Sequence, residues 1–230
     1  MPRSTTVPAA LAVLMGVLLV GVMADGPVAP ERVPGAWREV EALPSPRLDG
    51  PVSLEAALLG RRSVRSFSDV PLTVEEIGQL LWAAQGVTDD AGHRTAPSAG
   101  AMYPLELDVV TADGFARYVP DGHRLAWRGD ADLRASLSEV AQGQAAILEA
   151  PLVIVISGVP ERTAARYGER AERYVAMEAG HAAQNALLES VSLGLGAVVV
   201  GAFDDEAVRR LLALADGEEP LYLVPIGHPR

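Results

Sequence analysis

Between residues 73 and 86 the chain reads TVEEIGQLLWAAQG, with apolar residues at 77, 80, 81 and 84 spaced as one helical face. Thr73 and Glu76 are placed as a capping box and Gly86 as a stop, so the pattern predicts a helix here. SLEAALLG, closed by Gly60, predicts a shorter helix before it. LELDVVT (105–111) predicts a strand, and FARYV and HRLAWR around Pro120-Asp121-Gly122 predict a hairpin. PLVIVISG (151–158) predicts a buried strand from its β-branched content. Helical patterning covers 130–150, then 161–193 as one long helix or two abutting ones, then DDEAVRRLLAL (204–214). GAVVVGAF (196–203) and PLYLVPIG (220–227) predict two further strands. A hairpin interrupts the alternation of helices and strands, and no G-x-G-x-x-G follows the first strand. The expectation is an α+β domain with a mixed sheet, not a doubly wound Rossmann sheet.

The N-terminal pattern differs. Residues 7–24, VPAALAVLMGVLLVGVMA, are uncharged and apolar, preceded by Arg3 and closed by Asp25. A basic start, an apolar middle and Val22-x-Ala24 fit a signal peptide, and the run also has the length of an uncleaved membrane anchor. Both readings of residues 1–24 place the rest of the chain outside the cytoplasm, periplasmic or extracellular, with Arg3 on the cytoplasmic side. Residues 25–51 hold six prolines and no sustained apolar period, which predicts a linker or extended arm. The folded domain is expected over 52–230.

Composition narrows the chemistry. The chain has 230 residues, a net charge of −11 and no cysteine. Thiolate nucleophiles, disulfides and Cys-type metal sites are therefore excluded, and a nucleic-acid partner is disfavoured by charge. The four histidines show no metal-ligand spacing, so no metal site is expected.

Against that acidic background RRSVRSF (61–67) stands out. Guanidiniums beside a serine hydroxyl suit a terminal phosphate, through bidentate geometry and permanent charge; a solvated basic patch is the plain alternative. TAPSAGAMYPLE is stiffened by Pro97 and Pro104, while Gly100 between Ala99 and Ala101 leaves backbone bare enough to lie against a flat ligand, with Ser98 as a small donor. Read alone, it is equally a turn. GLGAVVVGAFDD ends a strand at Gly201-Ala202, where amides can face a ligand, or simply joins a helix to a strand.

As a set, RRSVRSF, LLWAAQGV, RTAPSAGAMYPLE, EAGHAAQNALLES, GLGAVVVGAFDDEAV and LYLVPIGHP resemble the nitroreductase superfamily in type and order, over roughly residues 53–229. PSAGAMYP resembles its SagB/ThcOx (thiazole/oxazole dehydrogenase-like) branch. The resemblance implies an α+β fold with a mixed, mainly antiparallel sheet flanked by helices, and a homodimer with FMN at the interface. It implies that Arg61, Arg62, Ser63 and Arg65 hold the FMN phosphate and ribityl chain. Pro97, Ser98, Ala99 and Gly100 would lie along the isoalloxazine ring from the other protomer, and Val200, Gly201 and Ala202 would present backbone to its pyrimidine end. In azoline-oxidising members a Lys-Tyr pair precedes the EAGH helix; here Arg166-Tyr167 stands in that place. Tyr167 can carry a proton, whereas an arginine is no base. The implied function is FMN-dependent oxidation or reduction of a small organic or peptide substrate. The alternatives are a non-catalytic FMN-binding scaffold, or a cytoplasmic NAD(P)H-dependent nitroreductase with a misassigned start.

Overall fold

The structure, a computed structural model, describes Met1 and residues 39–230. The apolar run at 7–24 and the first part of the proline-rich stretch lie outside the described residues. Among those described, no helix is long and apolar enough to cross a membrane.

Seven strands form one sheet in the order β1-β4-β3-β2-β5-β7-β6. They are β1 (Glu39–Ala42), β2 (Leu105–Thr111), β3 (Gly114–Val119), β4 (Arg124–Gly129), β5 (Leu152–Gly158), β6 (Gly196–Ala197) and β7 (Glu219–Gly227). Every ladder is antiparallel; the mixed character expected from sequence shrinks to one parallel bridge, Ser63 with Ala197. The helices are α1 (Leu54–Gly60), α2 (Val74–Gln85), α3 (Arg134–Val140), α4 (Ala145–Glu149), α5 (Pro160–Tyr167), α6 (Ala171–Ser192) and α7 (Asp205–Leu211).

Alternation along the central strands explains why the sheet is covered on both sides. Leu152, Ile154 and Ile156 of β5 join Leu107 and Val109 of β2 in packing against α2 and α6. Val153 and Val155 turn the other way, to Leu137, Ile147, Val208 and Leu211 of α3, α4 and α7. Two cores thus share one sheet, and α6, at 22 residues, spans one face of it.

Four local outcomes depart from the sequence pattern or refine it. The 161–193 stretch divides into α5 and α6 across a 3-10 turn at Gly168–Arg170. The 130–150 stretch divides into α3 and α4, because Gln142 (φ 62) and Gly143 (φ 71) both take the left-handed conformation that ends a helix. Only Gly196–Ala197 of GAVVVGAF is regular strand. Val198 N–H still donates to Pro225 O at 3.2 Å, but proline has no N–H to return and the ladder breaks there. Within the proline-rich stretch, residues 39–42 form edge strand β1, and Leu43 enters the core. Gln79 fastens the chain again at Arg47, accepting from Arg47 N–H (2.8 Å) and donating to Arg47 O (3.1 Å).

Candidate functional site

The arginine segment is held by its backbone. Val64 N–H donates to Ala197 O (3.0 Å), Ser68 N–H to His228 O (2.9 Å), and Arg230 N–H to Ser66 O (3.3 Å). Phe67 is fully buried, and Val64 presses so closely on Gly196 that a Cβ there would come within 2.7 Å of it. With Val64 and Phe67 turned in, Arg62, Ser63 and Arg65 are exposed and Arg61 half-buried. Arg62 Nη1 donates to Leu59 O (3.0 Å) and Arg61 O (2.8 Å), satisfying carbonyls at the end of α1 that the helix leaves open. The Arg61 and Arg65 guanidiniums bond to no described residue. Two fixed charges beside a serine hydroxyl, on a segment tied at both ends, match the donor set a phosphate requires.

The same sheet edge carries Val200, Gly201 and Ala202. Val200 exchanges backbone hydrogen bonds with Leu223 (2.8 and 2.9 Å). Beyond it Gly201 and Ala202 are exposed, and their N–H groups donate to no described residue. Ala202 O accepts from Gln144 Nε2 (3.1 Å), which fixes this end of the segment.

Pro97, Ser98, Ala99 and Gly100 form a separate group with Arg166 and Tyr167. Ser98 Oγ accepts from Tyr103 N–H (2.8 Å) and so closes the loop. Gly100 (φ 61), Ala101 (φ 54) and Tyr103 (φ 45) are left-handed, and two of these carry a Cβ, so the loop stores strain. A Cβ on Gly100 would stand 2.9 Å from Tyr167 Oη and 3.0 Å from Arg166 Nη1. The end of α5 therefore lies directly on the bare face of Gly100. Tyr167 is in turn steadied edge-on by Tyr174, with ring centroids 5.2 Å apart.

Sequence reasoning did not single out Glu178. This α6 carboxylate is 4% exposed, and its Oε1 accepts from Ala99 N–H at 2.8 Å, anchoring the loop to the helix. The available signal was an acid on the buried face that Val175, Ala179 and Ala182 define, where an acid needs a partner.

On one chain the two groups do not meet. The loop is anchored at Glu178, while Gly60, beside the arginines, lies against Val191. A helical rise of roughly 1.5 Å per residue separates those positions on α6 by about 20 Å. Cavities of about 360 and 610 Å³ open elsewhere on the chain, and none of the candidate residues lines either.

Comparisons with known proteins agree on one family. The profile described as the Nitroreductase family matches residues 58–228. A Methanocaldococcus jannaschii protein, provisionally named a nitroreductase, is 45% identical over 182 residues, covering 76% of this chain and 91% of that relative. A crystal structure from Ralstonia eutropha, provisionally described as a nitroreductase, superposes with a TM-score of 0.78 at 33% identity, covering 88% of this chain and 95% of the other. A Bacillus subtilis protein named FMN reductase (NADPH) is 28% identical over 180 residues, covering 75% of this chain and 64% of the relative.

Proposed function

Because the chain belongs to the nitroreductase family, we propose that it is an FMN-dependent oxidoreductase of a small organic molecule, with flavin held where two copies of the chain meet. The observation that carries this reading is the pair of guanidiniums, Arg61 and Arg65, that have no partner among the described residues, on a backbone fastened to Ala197 and His228. The FMN reductase among the relatives supports the choice of anion.

On this reading Arg61, Ser63 and Arg65 grip the phosphate and ribityl chain, and Arg62 contributes the guanidinium donors that α1 does not use. Val200 sets the strand end, and the Gly201 and Ala202 N–H groups face the pyrimidine end of the ring. Residues 97–100 of a second copy lie along the ring plane, with Gly100 leaving room for the end of α5 beside it. FMN supplies two-electron transfer to or from the substrate. Tyr167, set on Gly100, is the group placed to give or take a proton; Arg166 keeps its charge and is not a base. PSAGAMYP supports a place near the SagB/ThcOx-like branch, although the lysine of that branch's Lys-Tyr pair is absent.

Purified protein is expected to show flavin absorbance or to take up added FMN. Arg61→Ala and Arg65→Ala should each weaken FMN several-fold to about a hundredfold, since a charged hydrogen bond contributes about 1.5–3 kcal/mol. A colourless protein that cannot be loaded with FMN overturns the reading.

A further inference from the structure

Resting on the site proposed above, we infer that Arg166 and Tyr167 form an anion clamp over Gly100, so that the substrate taken there carries a carboxylate or similar oxyanion. Arg162 and Arg166 lie one turn apart on α5, and their surroundings differ. Arg162 is committed to Glu106 and to Tyr103 O. Arg166 has no carboxylate or carbonyl partner among the described residues; its neighbours there are the Tyr167 ring, 5.6 Å from Cζ, and Gly100. Glu178, which also reaches this loop, spends Oε1 on Ala99 N–H and forms no ion pair with Arg166.

A solvated surface arginine would be the ordinary explanation for an open guanidinium. Three features set Arg166 apart from that. Its Nη1 and the Tyr167 hydroxyl lie side by side on the same bare face, because both approach the point where Gly100 would carry a side chain. The Gly100 N–H donates to no described residue either, so the same residue keeps an open backbone donor. The loop beneath is not free to yield: Ser98 closes it through Tyr103, and buried Glu178 pins it. One cation and one hydroxyl gathered on a fixed surface, on a residue with an open amide, match the two oxygens of a carboxylate.

Benzoate and benzamide test this, being alike in size and shape and different in charge. Both are titrated by calorimetry into FMN-loaded and flavin-free protein, with a thermal melt to confirm that each variant is folded. Benzoate should bind about tenfold or more tighter than benzamide. Arg166→Ala should bring the ratio towards one through a loss in benzoate affinity of about ten- to a hundredfold. Arg166→Lys should recover part of that loss, and Tyr167→Phe should cost several-fold. Equal binding of the two probes, no benzoate binding at millimolar concentration, or a ratio that Arg166→Ala leaves unchanged overturns the clamp. Uptake of FMN without charge preference overturns the clamp alone. Charge preference that depends on Arg166 without FMN uptake supports the clamp and overturns the flavin reading instead.

Discussion

Arg117 is the counterpart of the open arginines. It lies opposite Asp108 across β2 and β3, donating from Nη2 to Asp108 (2.6 Å) and to Glu218 (2.7 Å), with a further bond from Nε to Asp108 (3.0 Å). Both carboxylates are almost sealed from solvent. Burial alone would pull the guanidinium's pKa down; Asp108 and Glu218 outweigh it and hold the group above the ordinary arginine value. Arg117→Leu leaves two buried carboxylates without their shared cation and should destabilise the fold by about 3–5 kcal/mol. Urea unfolding with an unchanged slope would read that loss as a lower midpoint, and a cost below about 1 kcal/mol would mean that water already serves these carboxylates. The contrast also explains what sequence left hidden about the site. RRSVRSF draws attention by density, while Arg117 and Arg166 look alike in a string of letters. The fold separates them: strand register puts Asp108 opposite Arg117, the turn before β7 adds Glu218, and Arg166 at the end of α5 meets no carboxylate among the described residues.

At the scale of elements, local signals were legible wherever local chemistry decides the outcome. The capping box is formed as the letters predict: Thr73 Oγ1 accepts from Glu76 N–H (3.2 Å), and Glu76 Oε2 accepts from Thr73 N–H (2.7 Å). Departures occur where a neighbour decides. Pro225 on β7 interrupts the strand predicted at 196–203, and β1, whose four residues alternate but are too few among prolines to predict a strand, forms on the open edge of β4. The break between α3 and α4 is a local signal that helical patterning obscured. Gly143 N–H reaches back to Ser138 O (2.8 Å), the bond that closes a helix C-terminus, and this places Gln142 in the left-handed position usually given to glycine. Gln142 is exposed and gives up no packing. Gln142→Gly should therefore stabilise the protein by about 0.5–1 kcal/mol, the left-handed strain removed less the greater chain entropy of glycine. A thermal melt checks this, and a lowered midpoint would show that the side chain serves in some other way.

For the whole molecule, the separation of the two site halves and one exposed apolar helix point the same way. The Arg61–Arg65 segment and residues 97–100 sit about 20 Å apart along α6, so on the proposed reading one copy offers the phosphate-binding residues and, at a distance, the loop that would face the ring. Between the N-terminal arm and the arginines lies α1, whose single buried residue is Ala57. Leu54, Leu58 and Leu59 on it are 60%, 52% and 77% exposed. Each such side chain gains about 1.5–3 kcal/mol on full burial, which a second copy docked over α1 would supply. The proposed flavin site sits where α1 ends, so association and cofactor retention should rise and fall together. Leu54→Glu, at the far end of α1 and seven residues ahead of Arg61, places a charge on that face away from the arginines. It should shift the protein towards monomer in light scattering and release FMN in the same preparation, with the monomer still folded by circular dichroism. A stable monomer that keeps its flavin would overturn the shared site. A Leu54→Glu protein that stays dimeric and flavin-loaded would instead move the interface away from α1.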